Sequence, residues 1–257
     1  MQLDGTVTLI TGASDGIGRC VATRFAAQGA RVLVHGRDPD RTQAVARSVN
    51  GRAVVADLAS AHDRGELIAQ AEQIFGRIDV LVNNAGIGWS GPFTQMTVDE
   101  IRRVLEVDLL AAVELTHSVL PGMVQRRRGA VCFVTSIAGR TGVGGEAVYS
   151  AAKAGLDALA DSLRSEATGT GVHIAVVVPG VVNTAFFEKR GRPYDRARPK
   201  PVPPEAVADA VLEAVSGRPE VWVPRWLRVA PTVRAIAPVA FRRLATRFGE
   251  PVRLDRP

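Results

Sequence analysis

Short runs of β-branched residues alternate with helical stretches along most of this chain. No other feature of its 257 residues constrains the fold as much. Residues 6–11, 31–35, 53–56, 80–82, 130–135, 173–178 and 221–223 are apolar and rich in valine. They lack the polar alternation of a sheet with one wet face, so they read as strands covered on both faces. Helical patterns fill the intervals at 16–28, 39–49, 61–75, 98–125, 148–168 and 204–216. Such alternation predicts an α/β fold, a doubly wound, mostly parallel seven-stranded sheet with helices on both faces. With 46% hydrophobic residues, the chain can bury that sheet as one large unit.

A glycine-rich turn follows the first strand. Gly12 comes just after it, and Gly16 and Gly18 open the first helix. Glycines permit a tight turn and close backbone approach, and a helix N-terminus offers free N–H groups to phosphate. Strand before and helix after make this the pattern of a Rossmann-type dinucleotide site. The second strand ends in His35, Gly36 and Arg37. A site for NAD places an acid here to bind the ribose 2′-hydroxyl. Gly36 stands in that place, and the Arg37 guanidinium can bind a 2′-phosphate bidentately. NADP(H) is therefore expected in preference to NAD(H).

Ser136 ends the fifth strand, and Tyr149 and Lys153 follow on the next helix. Residues at i and i+4 share a helix face. A phenol near pKa 10 is a poor acid–base catalyst at neutral pH. A neighbouring ammonium favours the phenolate. Alone, this pair reads equally as solvated surface; downstream of a dinucleotide turn it reads as a proton-transfer device.

With Asn83 to Gly86 after the fourth strand, and Pro179, Gly180 and Thr184 after the sixth, the sequence resembles the short-chain dehydrogenase/reductase family over nearly all of residues 1–223. The resemblance implies a dinucleotide-binding and catalytic domain over 1–223, with a substrate loop near 186–204. It implies an NAD(P)-dependent oxidoreductase that interconverts a ketone or aldehyde and an alcohol. Gly12, Ser14, Asp15, Gly16, Ile17 and Gly18 would line the cofactor turn, with Arg37 at the 2′-position. Asp57 and Leu58 would meet the adenine. Asn83, Ala85 and Gly86 would lie along the ribose. Pro179, Gly180, Val182 and Thr184 would hold the nicotinamide end. Tyr149 and Lys153 would serve both cofactor and catalysis, Ser136 would polarise the carbonyl, and Tyr149 would transfer the proton. One position departs from the family pattern. Where relatives commonly carry an Asn that helps hold a relay water, this chain has Asp108. A carboxylate cannot donate as an amide does. It would also partly cancel the pull of Lys153 on Tyr149. Asp108 joins Ser136, Tyr149 and Lys153 as a catalytic candidate. The same fold also admits a redox-neutral epimerase or dehydratase, or a cofactor-binding protein without turnover.

Trp89, Glu146, Phe186 and Phe187 are the substrate candidates: Trp89, Phe186 and Phe187 suggest an apolar or ring-bearing ketone or alcohol, and Glu146 either meets a polar substrate group or faces solvent. No cluster with metal-ligand spacing appears, so no metal is expected. His35, His62, His117 and His173 are scattered and read as structural. Cys20 and Cys132 lie inside apolar elements and read as core residues. That usage, and the lack of a secretory pattern or an apolar run of eighteen residues, predicts a cytoplasmic protein.

The net charge of +6 is concentrated at one end. Residues 221–249 hold six arginines and no acid, and the remainder balances at 26 basic against 26 acidic residues. A neutral body argues against nucleic acid as a partner. In the basic tail, 224–257, Trp226, Ala230, Val233, Ala237, Phe241, Leu244 and Phe248 recur at helical spacing. Pro231 and Pro238 should divide it into two short helices. Such a tail either lies on an anionic membrane as a peripheral contact or packs over the substrate loop or a sister subunit, arginine stems flat and heads in water. A homo-tetramer or homo-dimer is expected through helices 98–125 and 148–168, by way of Ala111, Ala112, Leu115, Leu156, Leu159 and Leu163.

Overall fold

The computed structural model describes residues 2–195, 199–241 and 243. Leu244 and Phe248 of the expected tail face lie outside the described residues. Seven parallel strands form one sheet: β1 (Val7–Ile10), β2 (Arg31–Gly36), β3 (Arg52–Val55), β4 (Val80–Asn83), β5 (Gly129–Val134), β6 (Val172–Pro179) and β7 (Glu220–Val223). Their order is β3-β2-β1-β4-β5-β6-β7. The chain winds outward from β1 to β3, returns to place β4 beside β1, and winds the other way. That reversal opens a crevice at the carboxyl ends of β1 and β4, the switch point where such sheets bind ligands.

The unbroken apolar strands have a direct cause. Leu9, Leu33, Leu81 and Val131 point into one core, under α3 (Ala61–Phe75), α5 (Ala111–Gln125) and α7 (Ala147–Glu166). Their neighbours Ile10, Val34, Val82 and Cys132 point into the other, under α1 (Gly16–Ala27), α2 (Pro39–Ser48) and α9 (Pro204–Val215). Side chains alternate along a strand, and here both directions lead into a core.

The helix expected over 98–125 is not uniform. It runs as α4 (Val98–Leu105), one π turn (Glu106–Leu110) and then α5. A π turn inserts an extra residue and re-aims the side chains around it. Here it buries Val107 and Asp108. By length and composition the whole stretch could span a bilayer, with mean hydropathy 1.3 over its best window. Its apolar inner face, however, packs on the sheet.

A buried guanidinium ties this helix to the β3–α3 connection. Arg64 is 3% exposed. It pairs with Glu106 at 2.8 Å and Glu114 at 2.6 Å, and donates to the Leu58 carbonyl at 2.8 Å. A buried charge is costly unless paired and hydrogen-bonded, and three elements converge to meet that need.

The expected subunit surface requires correction, and the expected division of the tail into two short helices is found, at Ala237 and Pro238 rather than at both prolines. Ala111, Ala112, Leu115 and Leu156 are core residues that face the sheet, and Leu159 and Leu163 are partly buried against the same core. The large apolar residues that these helices do expose are Val98, Leu110 and Val124. In the tail, a 3-10 turn (Arg225–Arg228) leads into α10 (Val229–Ile236), and the chain is helical again from Pro238. Pro231 causes no break. It sits in the first turn of α10, where a helix needs no N–H from it.

Candidate active site

Two adjoining chambers open along the carboxyl edge of the sheet. The larger, about 610 Å³, follows the glycine turn and the ends of β2, β3 and β4. The smaller, about 290 Å³, lies over the ends of β5 and β6. They share Ile17, Asn84, Gly86, Thr184 and Phe186.

The larger chamber fits a dinucleotide. Gly12 has φ +64°, and a Cβ there would stand 2.8 Å from Ala85 Cα. A Cβ on Gly18 would stand 2.3 Å from the Gly12 carbonyl oxygen. The turn is thus a cradle that side chains would fill, ending at the N-terminus of α1. His35 fixes it from beneath. Its Nδ1 accepts from Gly12 N at 3.2 Å, and its Nε2 lies 3.2 Å from the Ala56 carbonyl. Burial pushes the imidazole down to about 4, so the ring is neutral and can accept from the glycine turn. Asn84 stitches the turn to β4, donating to the Thr11 and Gly12 carbonyls at 2.8 and 3.3 Å.

At the adenine end, Arg37, Arg41 and Arg103 line the chamber. Arg41 pairs with Asp38 at 2.9 Å, and Arg103 with Asp57 at 3.2 Å. Arg37 has no ion partner among the described residues. Gly36 lets Ser14 and Thr42 close on the strand end, since a Cβ there would meet Thr42 Oγ1 at 2.3 Å and Ser14 Cβ at 2.8 Å. An acid at 36 would therefore displace both neighbours.

In the smaller chamber, Ser136 caps the short helix α6 (Ile137–Thr141), and its Oγ accepts from Ala138 N at 3.1 Å. Ser136 adjoins Tyr149, close enough for its hydroxyl to lower the phenol. Lys153 is buried, with Nζ 5.6 Å from the Tyr149 ring centroid and 3.4 Å from Asp108 Oδ2. Asp108 Oδ1 accepts from Ile87 N at 2.7 Å. Burial raises the Asp108 carboxyl to about 6, against the pull of Lys153 and the Ile87 N–H. Tyr149 departs from expectation, because its phenol is pushed well up. Burial is the main cause, the Asp108 and Glu146 carboxylates add to it, and the Ser136 hydroxyl and Arg190 oppose it. Asp108 thus offsets the ammonium that was expected to lower this group.

The roof is aromatic and ionic. Phe186 lies 5.5 Å from the Tyr149 ring and Phe187 5.3 Å from Tyr194. Glu146 forms an ion pair with the buried Arg190, whose guanidinium stacks 4.6 Å over Phe187. One residue earlier, Lys189 reaches Asp15 at 2.8 Å. Both cations belong to α8 (Phe186–Lys189) and its cap.

Most of the residues expected from sequence converge here. Gly12, Ser14, Asp15, Gly16, Ile17, Arg37, Asp57, Leu58, Ala85, Gly86 and Thr184 line the larger chamber. Ser136, Glu146, Tyr149, Lys153, Pro179, Gly180, Val182, Phe186 and Phe187 line the smaller. Gly18 packs behind the turn, and Asp108 stands behind Lys153. Asn83 and Trp89 stand apart. Asn83 is buried and donates to Thr116 Oγ1 at 3.0 Å, so its neighbour Asn84 faces the crevice. Trp89 is turned away by a bond from its indole to Glu100 at 3.1 Å. Sequence reasoning missed Arg41, Arg103, Lys189, Arg190, Tyr194 and Leu227. The basic residues of the loop and tail were visible, but not where those segments run.

A doubly wound sheet with a dinucleotide cradle beside a Ser–Tyr–Lys constellation defines a nicotinamide-dependent oxidoreductase acting on a carbonyl/alcohol pair. A family profile described as short chain dehydrogenase matches residues 6–195. The ketoacyl reductase HetN of Nostoc sp. is 37% identical over 221 residues, which cover 84% of this chain and 77% of that protein. The 3-oxoacyl-[acyl-carrier-protein] reductase FabG of Escherichia coli is 33% identical over 186 residues, 72% of this chain and 76% of that one. A metagenomic short-chain oxidoreductase, solved in complex with NADP, superposes with a TM-score of 0.74 at 33% identity, over 86% of this chain and 98% of that one. The chain belongs to the short-chain dehydrogenase/reductase family and is an NAD(P)-dependent oxidoreductase.

The charges facing the Tyr149 hydroxyl are Asp108 and Lys153 behind it, and Glu146 and Arg190 above. Asp108→Asn removes a carboxylate that holds the phenol up. The limb of the pH–rate profile for alcohol oxidation that requires phenolate should then move to lower pH. An unmoved limb in steady-state measurements would show that Asp108 does not act on Tyr149.

Proposed function

We propose that this chain reduces an apolar ketone or aldehyde with NADPH in preference to NADH. The observation that carries this reading is the Tyr149 phenol beside Ser136 and Lys153 in a largely apolar pocket that adjoins a dinucleotide cradle. A neutral phenol is the form that can give a proton. The ketoacyl reductases among the relatives support a carbonyl on an acyl chain. Arg37, with Gly36 where an NAD site has its acid, supports the 2′-phosphate, as does the NADP carried by the metagenomic relative.

The residues divide the work as follows. The glycine turn and the α1 N-terminus would hold the pyrophosphate, Arg37 the 2′-phosphate, and Lys153 with Thr184 the nicotinamide end. When bound, the cofactor supplies a hydride to the carbonyl carbon. The Ser136 hydroxyl, which accepts from the Ala138 N–H, would turn its own hydrogen from Tyr149 to the substrate oxygen. Tyr149 donates its proton to that oxygen as the alkoxide develops. Lys153, fixed by Asp108, faces the phenolate left behind. Phe186, Phe187, Val182 and Leu227 cover the rest of the pocket, which suits an apolar substituent.

Two free cysteines, one of them buried, support a reducing, cytoplasmic setting. The exposed Leu110 at the start of α5 and Val124 near its end support a homo-dimer or homo-tetramer through this helix.

Tyr149→Phe should abolish carbonyl-dependent NADPH oxidation and leave cofactor binding nearly intact, since only the transferable proton is lost. Activity within about tenfold of wild type would contradict the mechanism. Arg37→Ala should weaken NADPH binding by roughly 1.5–3 kcal/mol, the worth of a charge-assisted contact, and leave NADH nearly unchanged. Equal losses in a titration with each cofactor would remove the 2′-phosphate role. Light scattering should give a mass of two or four chains, and a single-chain mass would refute the assembly.

A further inference from the structure

Eleven large hydrophobic side chains are exposed among the described residues, and five of them fall within 226–239: Trp226, Val229, Val233, Ile236 and Val239. Val229, Val233 and Ile236 recur at i, i+4 and i+7, so they share one face of α10. That helix has no buried residue, and Ile236 is 80% exposed. An apolar helix left in water needs a covering partner.

The helix is nevertheless anchored. Arg234 Nη1 donates to the Arg140 carbonyl at 2.7 Å, and Leu227, just upstream, is buried against Gly180. The apolar side therefore faces outward from a fixed base. The charge along the segment is of one sign, since Arg228 and Arg234 lie within the stretch, Arg225 just before it, and no acid occurs in the sequence from Val221 to Gly249. Arg228 and Arg234 have no ion partner among the described residues, and Arg225 lies 3.5 Å from Glu213.

We infer that the arginine-flanked apolar face of residues 226–239 docks on an anionic phospholipid surface. Apolar side chains would enter the acyl boundary while the arginines meet headgroup phosphates. A second copy fits less well, because a two-fold contact through the same patch would set identical arginines against one another. The covering role over the chain's own substrate loop is not what α10 does, since it buries none of its residues. Leu227 belongs both to this segment and to the wall of the carbonyl pocket. Docking would thus bring the pocket close to the bilayer and to apolar substrates dissolved in it, a consequence that rests on the carbonyl-reduction reading.

The test is co-sedimentation of the full chain with phosphatidylcholine vesicles, with and without phosphatidylglycerol. Binding is expected only to the anionic vesicles, and it should be lost near about 1 M salt, where charges are screened within roughly 3 Å. The double variant Val233→Ser/Ile236→Ser changes only exposed side chains. It should weaken vesicle binding roughly tenfold or more, with reduction of a water-soluble ketone unchanged. Wild-type protein that ignores anionic vesicles at low salt would overturn the inference. So would a double variant that binds vesicles normally while its light-scattering mass falls, which would assign the face to a second copy. Vesicle binding needs no turnover, so a failure of the reductase reading would show separately, as absent activity in a chain that still binds lipid.

Discussion

A buried lysine must have its charge answered, and the catalytic end of this molecule is arranged around how Lys153 achieves that. Its nearest counter-charge is the Asp108 carboxylate at 3.4 Å, deep in the structure. Neither group is tolerable there alone. The π turn brings Asp108 inward, the Ile87 N–H holds its other oxygen, and Gly86 leaves the space. A Cβ on Gly86 would stand 2.9 Å from the carboxylate and 3.3 Å from the ammonium. One helical irregularity, one glycine and one backbone amide thus set the electrostatics that Tyr149 experiences. The result differs from a lysine acting unopposed, because the phenol is held in its neutral form.

The cofactor side depends on polar groups that never face a ligand. His35 holds the glycine turn against the end of β3 while staying neutral. Arg64 locks the connection carrying Asp57 and Leu58 to the helices beyond it. These contacts pre-form the crevice before any dinucleotide arrives, and a pre-formed site loses less entropy on binding.

The sheet and the glycine turn were legible in the sequence because burial on both faces leaves a simple mark: short valine-rich runs with turns between them. Ser136, Tyr149 and Lys153 were legible because fixed strand ends and helical spacing bring them together. What escaped depended on geometry that spacing does not encode. A π turn adds one residue to a helix without disturbing its apolar pattern. The strand pleat decides whether Asn83 or Asn84 turns inward, and either choice satisfies the sequence. Helical spacing identified Ala111 and Leu115 as one face of α5, and Leu156 with Leu159 and Leu163 as one of α7, but not which neighbour each face meets. Lys189, Arg190 and Leu227 reach the chambers from segments whose course no local pattern reveals.

Lys189 and Arg190 are adjacent in the chain, yet they grip different chambers. One holds Asp15 at the mouth of the cofactor turn, and the other holds Glu146 at the mouth of the carbonyl pocket. One short turn of backbone separates the two grips. A displacement of this segment would therefore disturb both ion pairs together.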